Sequence, residues 1–257
     1  MKTLGVLQAR VSSSRLPSKV LLPILGEPML FRQLERLNRC ISVNELIVAT
    51  SDDSTDVTLA RECENRGIKC FRGSLDDVLD RFVQAARSYE PEAIVRLTGD
   101  CPLADPELID KVIEYFWEGD FDYVTNCDPT TFPDGLDVEV IKFSCLETAH
   151  REAVLPSHRE HVTPFLRSHP ERFRLGNYAC DTNRSHLRWT VDEPEDFEFV
   201  RSIYEKLYPA KPDFGTDDII QVLEEHPHLQ SINSKFERNE GVKKSLVADS
   251  NFLGQNK

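Results

Sequence analysis

Three basic side chains, Arg10, Arg15 and Lys19, follow the first apolar run of the chain within a dozen residues, interleaved with Ser12, Ser13 and Ser14. Guanidinium groups grip phosphate in a fork, an ammonium adds a point charge, and hydroxyls with loop N–H groups fill the gaps. The stretch contains neither G-x-x-x-x-G-K-[ST] nor G-x-G-x-x-G, so its phosphate chemistry would rest on side-chain charge. Two carboxylates complete the set: Asp100 ends the run "AIVRLTGD" and Asp192 ends "LRWTVD". If both runs are strands of one sheet, the two side chains can share a Mg2+ that keeps several waters and binds substrate phosphates. The competing reading makes Asp192 the cap of a helix starting at Pro194 and Asp100 the cap of a turn.

The elements that must position these groups follow from apolar spacing. Leu4–Gln8 is short and apolar on both faces, the pattern of a buried parallel strand. Met29–Cys40 has helical spacing at Leu30, Leu34 and Leu37. Glu45–Thr50 predicts a second strand, followed by the capping run "SDDSTD" and a helix over Asp56–Arg66 that Gly67 stops. Ile68–Phe71 is a third strand, Asp76–Ser88 a helix, Ala93–Leu97 a fourth strand, and Pro106–Trp117 another helix. This alternation predicts an α/β fold, a Rossmann-like, mostly parallel sheet with helices on both faces. Such sheets bind ligands at the carboxyl ends of their strands. Residues 9–19, the turn at Ser51, residues 72–77 and residues 98–100 all fall at that edge.

Beyond residue 120 the pattern is less regular. Tyr123–Cys127 and Leu187–Val191 read as strands; Ser144–Val154, His158–Ser168 and Pro194–Tyr208 read as helices. "GLDVEVI" alternates, with Leu136, Val138 and Val140 facing one way and Asp137, Glu139 and Ile141 the other. Residues 1–232 are expected to form a single domain, with residues 123–165 a subregion for substrate or dimer contacts. Residues 233–257 turn polar and read as a loose tail or an arm reaching to a partner.

Composition limits the function classes. The chain has 257 residues and a net charge of −13, which argues against nucleic acid or an anionic membrane as main partner. Residues 1–40 nevertheless hold seven Lys and Arg against two Glu. That excess suggests a local anion site, although Arg32, Arg36 and Arg39 would also suit a solvated helix face. Seven cysteines without a C-x-x-C pair read as reduced thiols rather than disulfides or a zinc site. With no signal peptide and no apolar run of about 18 residues, a cytoplasmic protein is expected.

The run "LQARVSSSRLPSKVLLPILGEPML" resembles the signature of cytidylyltransferases that activate acidic sugars, roughly Q/P-A-R-x-x-S-x-R-L-P-x-K-x-L and then G-x-P-(M/L)-(L/I). Within that group the likeness is to the SpsF-type enzymes of spore coat polysaccharide biosynthesis. "GSLDDVLDRF", "RLTGDCPLADPELID", "FPDGLDVEVI", "SHREHVTPF" and "LRWTVDEPEDFEFV" resemble its further blocks in order. The resemblance implies a nucleotide-diphospho-sugar transferase (GT-A-like) fold and transfer of CMP from CTP to an acidic, nonulosonate-like sugar, releasing pyrophosphate. It also implies Mg2+, a homodimer, and no nucleic-acid or membrane partner.

Carried over by position, the resemblance makes Arg10, Arg15 and Lys19 catalytic, with Ser14 also on the triphosphate and Lys19 beside the leaving group. Leu7, Gln8 and Ala9 would border the base, with Arg81 near it, and Asp100 and Asp192 would hold Mg2+. Sialic-acid and Kdo enzymes often carry a glutamine where this chain has Thr98, so the sugar is not named. Asp137 and Glu139 would accept hydrogen bonds from sugar hydroxyls, or else form a solvated strand face. His158 and His161 are read as packed or at the substrate's edge, and Tyr204, Tyr208, Trp117 and Trp189 as packing residues. Two alternatives share the fold: a glycosyltransferase, disfavoured because Gly99-Asp100-Cys101-Pro102 lacks a D-x-D motif, and a non-catalytic nucleotide-binding protein.

Overall fold

A computed structural model describes residues 1–238 and 249–254 of the chain. In chain order the regular elements are β1 (Thr3–Gln8), a two-residue hairpin of β2 (Pro23–Ile24) and β3 (Glu27–Pro28), α1 (Met29–Leu37), β4 (Glu45–Ser51), α2 (Val57–Asn65) and β5 (Cys70–Gly73). There follow α3 (Val78–Arg87), β6 (Ala93–Thr98), α4 (Pro106–Glu118), β7 (Tyr123–Thr125), β8 (Glu139–Lys142), α5 (Phe143–Glu152) and α6 (Pro156–His161). The last are α7 (Pro164–Arg167), β9 (Leu175–Asn177), α8 (Pro194–Leu207) and α9 (Thr216–Glu225).

One seven-stranded sheet has the order β5-β4-β1-β6-β8-β7-β9. Neighbours pair in parallel except at β8, which runs against both β6 and β7. The mostly parallel sheet expected from the alternation is therefore present. Its strands bury alternate side chains on opposite sides, as the two-residue period requires. Leu4, Val6, Ile47, Ala49, Ile94 and Ile141 join one core with Val78, Phe82, Leu146 and Phe165. Leu7, Val48, Val95, Leu97, Val138 and Val140 join the other, with Leu34, Ile109, Phe199 and Leu223. Helices thus cover both faces, and the strand ends remain as the place for chemistry.

The structure departs from the sequence reading in four places. Residues 158–168 are not one helix. Val162 adopts φ 72° and Pro164, which has no N–H to donate, opens a new helix, so α6 and α7 are separate. Residues 187–191 form no strand of the sheet; they run beside the 134–136 turn through an isolated bridge between Asp134 and Arg188. Arg32 and Arg36 form neither an anion site nor a solvated face. Arg32 donates to the carbonyls of Ile24 and Leu25 under the Tyr208 ring, and Arg36, 2% exposed, donates to the Ala104 carbonyl under Phe214. The body also does not stop at residue 232. Asn233 is buried and donates to the Arg188 carbonyl and to Asp196, Arg238 pairs with Asp137, and Asp249 accepts from the Ser157 N–H and hydroxyl. Polarity there marks partners on the body; residues 239–248 and 255–257 lie outside the described part.

Candidate active site

The loop after β1 is tied down at its base. Ala9 N–H donates to the Ala49 carbonyl, and the Gln8 carbonyl accepts from Gly99 N–H at 2.7 Å. A Cβ at Gly99 would stand 3.0 Å from that of Ala9, so the turn after β6 lies close against the turn after β1 and a larger residue would push them apart by a few tenths of an ångström. Asp56, fully buried, accepts from Val11 N–H at 2.6 Å and from the N–H and hydroxyl of Ser51. One carboxylate therefore joins the ends of β1 and β4. Above this base Ser12, Ser14 and Arg15 are exposed, and Ser18 takes a left-handed conformation (φ 58°) that turns the chain inward at Lys19.

Lys19 is the centre of the arrangement. Its side chain is 11% exposed, and its Nζ donates to Asp192 Oδ1 at 2.8 Å, to the Val191 carbonyl at 2.7 Å and to Asp100 Oδ2 at 3.4 Å. Burial alone would lower the lysine pKa, but Asp100 and Asp192 outweigh it and hold the group above its ordinary value. The same pairing keeps Asp100 below the usual aspartate range, against the effect of burial. Arg15 adds a second cation, reaching Asp192 Oδ2 at 2.9 Å and Glu193 Oε1 at 3.2 Å.

The two aspartates meet even though they are not on neighbouring strands. Val191 N–H donates to the Asp100 carbonyl at 2.8 Å, which clips the Asp192 segment to the turn after β6. The close approach at Gly135, φ 104°, helps: a Cβ there would lie 2.5 Å from Thr190 N. Asp192 is not the cap of α8. That task falls to Glu193 and Asp196, whose Oδ2 accepts from both Asp192 N–H and Glu193 N–H at 3.0 Å. Arg188 in turn grips Asp196 through two bonds of 2.8 Å, leaving the Asp192 carboxylate turned to the loop.

Other residues singled out by the sequence lie apart from this cluster. Leu7 is wholly buried in the core, and Ala9 is nearly so, beneath the loop. Arg10 is exposed where the loop begins. Arg81, 1% exposed on α3, donates to the Ser74 carbonyl, and its Nε has no partner among the described residues; nor has Gln8 Oε1. Burial, and then the nearby charge of Arg10, lower the Arg81 pKa.

Asp137 and Glu139 do not form a solvated face, and the donors around them differ from those expected. Glu139 is held by Arg96, Tyr123 and Thr163, and Asp137 by Arg238. Glu139 opens β8 and its side chain is 11% exposed, whereas Asp137 precedes the strand and its side chain is 39% exposed. His158 packs against Phe165, and no group of three or more His, Cys, Asp or Glu is placed to hold a metal among the described residues. Tyr204 and Tyr208 are packing residues, donating to the Pro102 carbonyl and to Glu35. Asp56, Arg188, Glu193, Asp196 and Arg238 were missed. A signal existed for two of them: Arg188 and Asp196 each stand four residues from Asp192 in a charge-rich run.

No helix among the described residues is long and apolar enough to cross a membrane. Known proteins resemble the chain over most of its length. The spore coat polysaccharide biosynthesis protein SpsF of Bacillus subtilis is 35% identical over 87% of this chain and 95% of its own length. A 3-deoxy-manno-octulosonate cytidylyltransferase of Chlorobium phaeovibrioides is 33% identical over 47% of this chain and 48% of its own. The solved structure of a cytidylyltransferase from Leptospira borgpetersenii superimposes with a TM-score of 0.85 at 33% identity, covering 90% of this chain and 97% of that one. The cytidylyltransferase family model matches residues 4–212, a span holding the loop after β1 and both aspartates. The chain belongs to the cytidylyltransferase family and is a CTP-utilising nucleotidyltransferase.

Proposed function

We propose that this enzyme transfers CMP from CTP to an acidic sugar, of the 2-keto-3-deoxy or nonulosonate kind, for surface or spore-coat polysaccharide. The observation that carries the reading is the Lys19 ammonium seated between Asp100 and Asp192 beneath a loop presenting Arg10, Ser14 and Arg15. An anomeric hydroxyl of the sugar attacks the α-phosphorus in line; the new P–O bond forms as the bond to the β-phosphate oxygen breaks and pyrophosphate departs. Such a step depends on positioning and charge neutralisation. Arg10, Ser14 and Arg15 bind the triphosphate, and Lys19 meets the charge growing on pyrophosphate. Gln8 borders the base, with Leu7 and Ala9 buried beneath it; the unpartnered Gln8 Oε1 is an acceptor suited to the cytosine amine and Arg81 Nε a donor suited to its carbonyl.

The donor set also fits a divalent metal. Two carboxylates already share one cation, and they are the hard oxygen ligands that Mg2+ takes while keeping waters and phosphates for its other positions. Asp100 and Asp192 would hold it, and when bound it would neutralise charge on the transferring phosphoryl group. On the acceptor side, Asp137 rather than Glu139 is placed for a sugar hydroxyl, because its side chain is 39% exposed against 11%. The reading includes a homodimer built through residues 123–165, where Val154 is 70% exposed.

Incubation with each of the four NTPs, Mg2+ and a panel of acidic sugars, read by pyrophosphate release, tests the assignment. Turnover is expected with CTP and a keto-acid sugar. Turnover with another NTP and none with CTP would refute the base; turnover with neutral sugars alone would refute the acceptor. Lys19→Ala should lower turnover by about 10²–10³, the loss typical for one preorganised charge-stabilising donor.

A further inference from the structure

We infer that Lys19 and the divalent cation take turns on one seat, so that cation and triphosphate enter the site as a coupled pair. The inference rests on the metal reading above and adds how the site is loaded.

An ammonium has three N–H donors. In Lys19 all three are engaged at the acidic edge: Asp192 Oδ1 at 2.8 Å, the Val191 carbonyl at 2.7 Å and Asp100 Oδ2 at 3.4 Å. The guanidinium of Arg15 is also turned that way, onto Asp192 and Glu193. In this arrangement the ammonium cannot give a full set of bonds to a phosphate, and the carboxylates cannot give their best oxygens to a metal. Each side is occupied by the other.

A polyanion relieves this deadlock from one side and a divalent cation from the other. Once β- and γ-phosphate oxygens draw Lys19 and Arg15 upward, the partly buried Asp100 loses its cation and Asp192 keeps the more distant Arg188, whose Nη2 stands 3.6 Å from its Oδ2, so the pair is short of positive charge. Leaving such groups unpaired is strongly unfavourable, so the vacated seat attracts a cation. Conversely, a cation that fills the seat repels the ammonium toward the loop, where the triphosphate lies. The two ligands must therefore help one another, and by linkage the help is equal in both directions. The hinge is in the chain itself: Ser18 holds φ 58° next to Lys19, and residues 12–17 above it are mostly exposed.

Full-length wild type and Lys19→Met, titrated with Mn2+ alone and followed by electron paramagnetic resonance, test this without turnover. Lys19→Met should bind Mn2+ about 10-fold tighter than wild type in the absence of nucleotide, within the 5–150-fold range usual for coupled sites. Lys142→Met, which removes a lysine paired with Asp120 and Asp122 and with neither aspartate of the seat, should leave Mn2+ affinity within about two-fold of wild type, since a solvent-screened charge outside the seat adds little. A second measurement needs no variant: the rate at which an N-hydroxysuccinimide ester acetylates Lys19, read by mass spectrometry, should rise when Mn2+ is added. Equal Mn2+ affinities in wild type and Lys19→Met, or an acetylation rate that Mn2+ leaves unchanged, would overturn the exchange while sparing the metal reading. Absence of Mn2+ binding in every form, with CTP present as well, would instead remove the metal reading and the exchange with it.

Discussion

Asp196→Asn changes one oxygen to an amino group, yet it should be among the more damaging substitutions outside the site. Asp196 is fully buried and accepts five hydrogen bonds. Its Oδ1 takes Arg188 Nε and Asn233 Nδ2; its Oδ2 takes Arg188 Nη2 and the backbone N–H groups of Asp192 and Glu193. Whichever way an asparagine amide turns, at least two of these donors face an NH2, and Arg188 loses its two-bonded charged partner, keeping Asp134 at 3.1 Å. Breaking a buried pair in this way costs about 3–5 kcal/mol, a large part of the roughly 5–15 kcal/mol that a domain has. At about 2–4 °C per kcal/mol for a chain of this size, the melting temperature should fall by about 6–20 °C. The assay is thermal unfolding by circular dichroism, paired with turnover measured well below the variant's own transition. Turnover should fall further than the unfolded fraction explains, because the N–H of Asp192 loses its anchor. A shift within about 2 °C, less than 1 kcal/mol on that scale, together with normal turnover, would refute the claim that this carboxylate holds the Asp192 turn.

Glu139→Gln tests whether Glu139 positions rather than binds. It should destabilise by about 3–5 kcal/mol, by stranding Arg96, while the KM for the sugar stays near wild type. Burial would raise the Glu139 pKa, but Arg96, then Tyr123 and Thr163, hold it below its ordinary 4.5. A depressed carboxylate contributes its full stability above pH 4.5 and loses it as pH falls through the lower folded value, so the gap between Glu139→Gln and wild type should narrow on acidification. A constant gap across urea melts from pH 7 to 3 would count against the pairing. For the proposed homodimer, sedimentation velocity should give twice the chain's 29.4 kDa, and Val154→Glu should shift it toward monomer; a wild-type species at the monomer mass would remove that part of the reading.

How much was legible depended on whether a residue's role was local. The alternation of apolar runs with capped helices was enough to place β1, β4, β5 and β6, because burial on a sheet repeats every two residues and leaves a mark in sequence. Residues 187–191 carry the same mark and yet join no ladder, since Val191 N–H goes to the Asp100 carbonyl and Trp189 N–H to that of Asp134. An apolar alternation says that a segment is buried on one side; it does not say which backbone will pair with it. Asp100 and Asp192 both reach Lys19 by a route other than the one expected, a two-strand sheet edge being replaced by one backbone clip.

Charge was the harder signal. Arg15, Lys19, Arg32 and Arg36 lie within 22 positions of one another, but their fates separate according to what surrounds the head group. Arg36 ends on a carbonyl and an aromatic ring, where burial lowers its pKa, and Arg32 ends on two carbonyls, the Tyr208 hydroxyl and Glu35, its own neighbour on α1 and not a carboxylate of the site. Arg15 and Lys19 end on Asp192, Glu193 and Asp100, partners contributed from 81 to 178 residues away. A cation matched to neutral dipoles has nothing better to exchange them for when CTP arrives. One matched to exchangeable carboxylates does, because a divalent ion can take its place. The difference between a structural and a functional arginine or lysine in this chain is thus the replaceability of its partner, and that is a property of the fold rather than of any local stretch of sequence.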